Sequence, residues 1–251
     1  MRIALKFAYN GKKYNGFARQ PNMLTVEGEI IKILLKNNFI NDLKTSIFRS
    51  ASRTDKGVSA LSNVIAFNTN HLKTKIIEKL SKEFTNILFY GFAIVDDDFN
   101  PRFAKMRQYR YYLSNENLDV ENIITTANVF TGEHNFSNFA RVEDYKNSIR
   151  SIDNIVISET NDFLFIDFFA KNFLWNQIRR IISALIKVGN NKIKNQEITR
   201  ALNNPKIKLD FGLAPGDPLI LKEIFYDFNF EINKKNFKRL ELFESQIISN
   251  L

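Results

Sequence analysis

The chain has 251 residues, 44% of them hydrophobic, which is enough to bury a core in one large or two smaller domains. It contains no cysteine and only two histidines, His71 and His134, so disulfide frameworks, thiolate nucleophiles, cysteine-based zinc sites and multi-histidine metal centres are excluded. The formal net charge of +9 favours a polyanionic partner such as a nucleic acid, but a merely soluble basic protein would have the same charge.

Two further patterns concern the cellular setting of the protein. The longest apolar runs, such as residues 87–95 and 163–170, are well short of the roughly 20 residues that a membrane-spanning helix needs. The first residues alternate apolar and other side chains like a strand, and they lack the apolar core and small-residue cleavage site of a signal peptide. We therefore expect a cytoplasmic protein that does not insert into a membrane.

The first hundred residues alternate strand and helix patterns. Apolar side chains recur at every second position in residues 2–9, and Asn10-Gly11 follows as a turn signal. Thr25 is placed to cap a helix whose apolar residues share one face. The further predicted elements of this half are a strand at 64–68, a helix at 73–84 and a strand at 87–95.

The rest of the chain shows a similar alternation. Residues 96–101 read as a connection, so we predict an N-terminal domain at 1–100 and a C-terminal domain at 101–251. Gly189 is predicted to cap the C-terminal end of a strongly amphipathic helix. An α+β protein with two sheet-plus-helix halves is therefore expected. The predicted elements of the second half are strands at 109–113, 149–157, 164–170 and 219–226, and helices at 120–130, 176–188 and 196–202.

A polar loop between two apolar stretches carries the candidate chemistry. In this loop Asp55 lies between two cations, Arg53 and Lys56. Flanking cations lower the pKa of a carboxylate and keep it ionised as a nucleophile or base. Taken alone, the same residues are more economically a solvated surface turn, because Asp and Gly are common in turns.

Residues 52–60, here called the signature loop, read Ser-Arg-Thr-Asp-Lys-Gly-Val-Ser-Ala. They resemble the G-R-T-D-x-G-V-x-A loop of TruA-type pseudouridine synthases. The loop itself differs mainly by Ser52 in place of Gly. Other departures from the family pattern are Phe17 in place of Trp, Ser59 in place of His, and Trp175-Asn176 in place of a His pair. Further blocks similar to the family follow in the family's order, at residues 9–17, 19–20, 100–104, 107–111, 132–136, 173–180 and 214–215.

The resemblance implies an isomerase that breaks the bond from uracil N1 to ribose C1′ and joins C5 to C1′, with no metal or organic cofactor. Asp55 matches the catalytic aspartate, which attacks the sugar, attacks the base or removes a ribose proton. Arg53 matches an arginine beside the target nucleotide, and Tyr109 matches a tyrosine that stacks on the uracil. Arg179 matches the basic residue that pairs with the aspartate.

The resemblance also implies a pseudouridine synthase fold, with two halves of ferredoxin-like topology joined around a central basic cleft. The expected partner is tRNA, with the uridines at positions 38, 39 and 40 of the anticodon stem-loop as first choice. Family members of this kind are commonly homodimers. Residues expected to bind the substrate besides Tyr109 are Lys12, Lys13, Arg19, Gln20, Lys56, Arg102, Arg107 and Arg110.

Two other classes of function compete with the isomerase. Composition supports a non-catalytic RNA-binding module equally well, and such a module would tolerate the loss of Asp55. A metal-dependent nuclease or phosphatase could use the acidic run Asp96-Asp97-Asp98. Three consecutive carboxylates cannot all face one ion, however, so a solvated loop is the better interpretation of that run.

Overall fold

The computed structural model describes residues 1–143, 147–249 and 251, and these form a mixed α+β structure, as predicted. No helix in these residues is long and apolar enough to cross a membrane. The strands are β1 Arg2–Tyr9, β2 Arg49–Ser50, β3 Ser59–Asn68, β4 Ile87–Val95, β5 Met106–Ser114, β6 Gly132–Asn135, β7 Ile149–Ile152, β8 Asn154–Glu159, β9 Phe163–Ala170, β10 Leu219–Phe225 and β11 Glu231–Ile232. The helices are α1 Val26–Lys36, α2 Lys73–Glu83, α3 Val120–Asn128, α4 Gln177–Gly189, α5 Asn195–Asn203, α6 Lys234–Phe237 and α7 Leu240–Ile248.

The chain forms two compact units, and the first of them is discontinuous in sequence. Unit 1 contains Met1–Lys105 together with Ile220–Leu251, and unit 2 contains Met106–Leu219. The last part of the chain joins unit 1 because Ile220 pairs in parallel with Ser59 of β3, and β11 pairs with β4. The prediction of one boundary after residue 100 does not place residues 220–251 in the first unit. Local sequence patterns do not show that a late strand pairs with a much earlier one.

Unit 1 has the ferredoxin-like order of elements. Strand β1 lies between β3 and β4 and is antiparallel to both, and β2 pairs with β3 on its other side. Because α1 and α2 occupy the two connections, the succession is β-α-β-β-α-β. The predicted strand at residues 2–9 is observed, and Ile3, Leu5 and Phe7 are fully buried. Burial does not alternate along the strand, because Ala4 and Ala8 on its other face are fully buried as well. The N-terminal cap of α1 is also confirmed, because the Thr25 side chain accepts a hydrogen bond from the Gly28 amide.

Unit 2 repeats the order strand, helix, strand, strand, helix with β5, α3, β8, β9 and α4. Strand β9 lies between β5 and β8 and is antiparallel to both, while β6 and β7 form a separate small sheet. The prediction of one strand at 149–157 is wrong, because β7 and β8 are separate strands with different partners. The break falls at Asp153, whose amide donates to the Phe169 carbonyl at 2.8 Å.

The predicted cap at Gly189 is also wrong. Gly189 is the last residue of α4, and the left-handed conformation past its end is taken by Asn191, with φ 56°. Gly189 is needed for packing, because a Cβ there would lie 2.5 Å from Cδ1 of Ile123 on α3. A glycine can therefore mark a close helix contact rather than a helix end.

We predict that Gly189→Ala lowers the free energy of unfolding by about 1–3 kcal/mol, although alanine is the better helix former, because the added methyl group overpacks the α3–α4 contact. Chemical denaturation monitored by far-UV circular dichroism measures this change. The matched control is Asn191→Gly, which should leave stability unchanged or raise it slightly. A Gly189→Ala protein as stable as the original would show that α3 can shift at no cost.

Candidate functional site

The signature loop connects β2 to β3 in unit 1 and presents Asp55 at its turn. The Val58 amide donates to the Asp55 carbonyl at 3.2 Å, and Gly57 has φ 86°, which a glycine adopts without strain. Exposure varies along the loop: Thr54 is buried, Asp55 is half-buried, and Arg53 and Lys56 are exposed. The loop therefore holds one carboxylate at the surface with a cation on each side of it in sequence.

A buried polar network anchors the residues before Asp55. The Tyr9 hydroxyl lies 2.7 Å from Oγ1 of Thr54, and Nδ2 of Asn63 donates to that hydroxyl at 3.4 Å. Asn63 also accepts from the Ser52 amide at 3.3 Å and donates to the Ser52 carbonyl at 3.0 Å. Buried groups that are hydrogen-bonded to one another restrict the positions a loop can adopt. The network therefore limits where Asp55 can lie.

The block of residues 9–17 packs against the same loop. The Gly11 amide donates to Oγ of Ser59 at 2.9 Å, and a Cβ on Gly11 would lie 2.1 Å from the Val58 carbonyl oxygen. The Phe17 amide donates to the Thr54 carbonyl at 3.1 Å, and the Phe17 ring is fully buried. Two blocks that are separated by some forty residues in sequence thus form one structure around Asp55.

Sequence reasoning did not assign a role to Asn63 or to the Tyr9 hydroxyl. Asn63 is a fully buried amide in the middle of an apolar strand, and Tyr9 ends a strand whose other inward side chains have no polar atoms. A polar group in such a position needs a hydrogen-bonding partner. This requirement could have indicated from the sequence that Asn63 and Tyr9 each have a hydrogen-bonding partner, but it does not identify that partner.

The substrate-binding residues predicted in unit 1 are all exposed, but they differ in what holds them. Arg19 is held by Glu27. The Glu27 carboxylate accepts a hydrogen bond from the Arg19 amide at 3.1 Å and lies 3.4 Å from Nε of Arg19. Lys12 and Lys13 lie on the short turn that follows the Gly11 contact with the loop. The exposed residues of this group are Lys12, Lys13, Arg19, Gln20, Lys56 and Arg102.

Two arginines predicted to bind the substrate have structural contacts in unit 2. Arg110 forms a bidentate ion pair with the buried Asp167, with N–O distances of 2.8–3.1 Å. Burial acts to lower the pKa of Arg110, but the hydrogen bonds and charges of Asp167 and Tyr112 together raise it. Arg107 is buried and donates to the Lys171 carbonyl. These contacts favour a structural role for both arginines over contact with phosphate.

Tyr109 and Arg179 are the predicted catalytic residues of unit 2. Each contacts a residue from another of the sequence blocks that resemble the family. The Tyr109 ring is largely buried and meets the Phe173 ring edge-on, with centroids 5.5 Å apart. Nε of Arg179 donates to the Ala214 carbonyl at 2.8 Å, and the Ala214 amide donates back to the Arg179 carbonyl at 3.1 Å. Arg179 lies in the first turn of α4, as its sequence position suggested.

The acidic run does not form a metal site. Across the residues that the structure describes, no group of three or more His, Asp or Glu side chains is arranged to hold a metal ion. Asp96, Asp97 and Asp98 are all exposed, as expected for a solvated loop. Burial and the nearby charge of Arg49 lower the pKa of Arg2, and the charge of Asp97 opposes this lowering only in part. The exposure of all three carboxylates favours the solvated loop over the metal-dependent alternative.

Comparison with known proteins identifies the family. Residues 126–227 match the model of the family described as tRNA pseudouridine synthase. A tRNA pseudouridine synthase A of Thermococcus sibiricus is 44% identical and aligns over 93% of this chain and 88% of its own. Its counterpart in Thermococcus kodakarensis is 39% identical over 97% of this chain and 93% of its own. A chain in the crystal structure of a Cbf5-Nop10-Gar1 complex aligns with 14% identity and a TM-score of 0.36, over 73% of this chain and 45% of that one, too low to define a relationship.

Relatives this similar over almost their whole length define an enzyme class. Pseudouridine synthases are isomerases, and this protein is an enzyme of that class. The chain belongs to the tRNA pseudouridine synthase family.

We predict that Tyr9→Phe lowers kcat for pseudouridine formation while the KM for RNA stays unchanged, because the loop that holds Asp55 loses its anchor at Thr54. The loss of one buried hydrogen bond should also lower the free energy of unfolding by about 1–2 kcal/mol.

A matched control separates these two effects. The Tyr90 hydroxyl is also buried in unit 1 and donates to the carbonyl of Leu61 at 2.9 Å, an acceptor in β3 that lies outside the signature loop. Tyr90→Phe should therefore cost similar stability and keep the original kcat. Equal kcat values for the two variants would refute a positioning role for Tyr9.

Proposed function

We propose that the protein isomerises uridine to pseudouridine in the anticodon stem-loop of tRNA, at position 38, 39 or 40, with Asp55 as the essential carboxylate and without a cofactor. The observation that carries the proposal is the position of Asp55. It lies half-buried at the turn of the signature loop. The loop residues before it are anchored by hydrogen bonds to Tyr9 and Asn63, and Val58, three residues after it, packs against Gly11. A catalytic group must be held in a defined geometry, which this packing supplies.

The reaction needs one charged group at the sugar or base and no redox step. The bond from N1 to C1′ breaks, the uracil turns, and C5 bonds to C1′. C5 then loses its proton and N1 gains one, so the product is an isomer of the substrate. An ionised Asp55 can attack the sugar, attack the base or remove a ribose proton, and each of these requires a carboxylate rather than an amide. Arg53, exposed two residues before it, is proposed to hold the extruded nucleotide.

Tyr109 and Arg179 are proposed as the catalytic residues of unit 2. The edge-on contact with Phe173 fixes the plane of the Tyr109 ring, and a fixed aromatic plane is suited to stacking on a uracil. The bond from Nε of Arg179 to the Ala214 carbonyl holds the guanidinium in place at the start of α4. These roles rest on the family resemblance of the blocks that contain them.

The remaining parts of the proposal concern partners. We propose phosphate contacts from the exposed residues of unit 1, a cytoplasmic location and a homodimer. The net charge of +9 and the placement of Lys12 and Lys13 beside the signature loop support binding to a polyanion. Arg107 and Arg110 remain in the proposed set on the family resemblance alone, because their observed contacts are structural.

The decisive experiment compares the original protein with Asp55→Asn on unmodified tRNA transcripts, in the presence of excess chelator. Pseudouridine is mapped by carbodiimide modification and primer extension. Asp55→Asn keeps the size of the side chain and removes its charge, so we expect it to bind tRNA but to react at least about 100-fold more slowly. Asp98→Asn, which changes an exposed carboxylate elsewhere in unit 1, should react like the original protein.

The outcomes distinguish the competing functions. Stops in the anticodon arm from the original protein and from Asp98→Asn, but not from Asp55→Asn, would support the proposal. Tight binding without stops from any of the proteins would favour a non-catalytic RNA-binding module. Activity that chelator abolishes would contradict the absence of a cofactor.

We predict that Lys12→Ala and Lys13→Ala each weaken tRNA binding and each reduce the slope of log Kd against log salt by about 1, because each removes one phosphate contact and its released counterion. Filter binding over a range of salt concentrations measures the slope. Lys32→Ala, an exposed lysine on α1, is the matched control and should leave the slope unchanged. A slope that is the same in all four proteins would exclude this surface as a phosphate contact.

A further inference from the structure

Trp175 is the only tryptophan in the chain, and 49% of it is exposed. Aromatic side chains of this size bury much apolar area when they serve the core, as the fully buried Phe17 and Phe168 do. Trp175 therefore keeps about half of its surface in contact with solvent. An exposed indole is the kind of surface that binds another planar group.

The ring already has one planar neighbour. The guanidinium carbon of the exposed Arg141 lies 4.2 Å from the centroid of the Trp175 ring. This cation–π contact contributes only about 0.5–1 kcal/mol at an exposed site, so it is a weak reason by itself to leave an indole in water. It does place a positive charge and a second stacking plane beside the indole, and RNA bases stack on both kinds of plane.

The backbone holds this pair in place. The Arg141 amide donates to the Trp175 carbonyl at 2.8 Å, in an isolated antiparallel bridge between the two residues. On the other side, Asn176 takes the left-handed conformation with φ 64° and α4 begins at Gln177. The Gln177 side chain accepts from the Leu174 amide at 2.8 Å. A ring whose backbone is fixed on both sides loses little entropy when it binds a ligand.

The same segment reaches the proposed uracil-binding residue. Phe173 lies two residues before Trp175, and its ring contacts that of Tyr109. One short stretch of chain therefore supports Tyr109 and also presents Trp175 to solvent. A nucleotide held at Tyr109 has neighbours along its strand within a few ångströms, and an extruded nucleotide leaves those neighbours partly unstacked.

We propose that Trp175 and Arg141 form a stacking site for an unpaired base of the RNA substrate, next to the uridine that reacts. The site would accept any base, because every base has a π-face, and it would select RNA that is single-stranded or opened at this position. The location of the site relative to the target uridine rests on the proposed function, whereas the stacking itself does not.

The single tryptophan makes the site directly observable. Fluorescence of the original protein is measured during titration with an unmodified tRNA transcript, with single-stranded oligouridylate and with a fully paired RNA duplex. We expect quenching by the first two and little change with the duplex. Asp55→Asn should show the same quenching, which separates stacking from catalysis. If neither protein forms pseudouridine but both are quenched, the proposed function fails and the stacking site stands.

Variants test the energetic role of the pair. Trp175→Ala should raise the Kd for tRNA by about 5- to 100-fold, and Trp175→Phe by much less, because a smaller aromatic ring still stacks. Arg141→Ala should also raise Kd. None of the Trp175 variants should alter the slope of log Kd against log salt, which distinguishes stacking from the phosphate contacts of Lys12 and Lys13. Thermal unfolding by circular dichroism checks that each variant folds.

A matched control moves the reporter. The double variant Trp175→Phe with Leu242→Trp places the only tryptophan on α7, at a position that is 63% exposed. Its fluorescence should not respond to RNA that it still binds. The proposal is overturned if tRNA binds the original protein without quenching, or if Trp175→Ala binds as tightly as the original. It is also overturned if the fluorescence follows protein concentration and not RNA, which would indicate self-association through this surface.

Discussion

The close approach of the Gly11 backbone to the Val58 carbonyl is the constraint on which the arrangement around Asp55 depends. A Cβ at residue 11 would lie 2.1 Å from that carbonyl oxygen, so no side chain fits between the two segments. The contact sets where the turn after β1 meets the signature loop. It thereby sets the position of Lys12 and Lys13 as well, since they directly follow Gly11. A single packing requirement thus connects the proposed catalytic loop to the proposed phosphate-binding turn.

Polar groups in this protein divide into those that hold the fold and those that face solvent, and burial decides the division. In unit 1, Tyr9, Thr54 and Asn63 satisfy one another beneath the loop. In unit 2, Asp167 is buried and takes Arg110 as its partner. Breaking either arrangement would leave a buried polar group without a partner, which is costly. These side chains are therefore poorly suited to exchange their partners for an RNA phosphate.

Helix α4 packs closely at one end and carries residues proposed for catalysis and stacking at the other. At its C-terminal end, Gly189 lets α3 approach closely. At its N-terminal end, Arg179 exchanges two hydrogen bonds with Ala214, and Trp175 is presented just before the helix begins. The packed end makes the helix a rigid support, because interiors at close-packed density transmit rather than absorb displacement. Rigid support is what a stacking or catalytic side chain requires.

Local patterns in the sequence determined the elements whose cause is local. The period-two pattern of β1, the Thr25 cap of α1 and the bounds of β4 follow from neighbouring residues. The signature loop indicates the family together with the further blocks that follow in the family's order. The tertiary structure alone decided which distant groups meet: Asn63 with Ser52, Arg110 with Asp167, and Ile220 with β3. The sequence pattern placed Gly189 at a helix end because a glycine suits several environments, a close contact between helices among them. The neighbours in the folded chain decide which environment a residue occupies. Hydrogen bonds and steric contacts act over a few ångströms and form between residues at any separation in sequence, so local sequence patterns do not predict them.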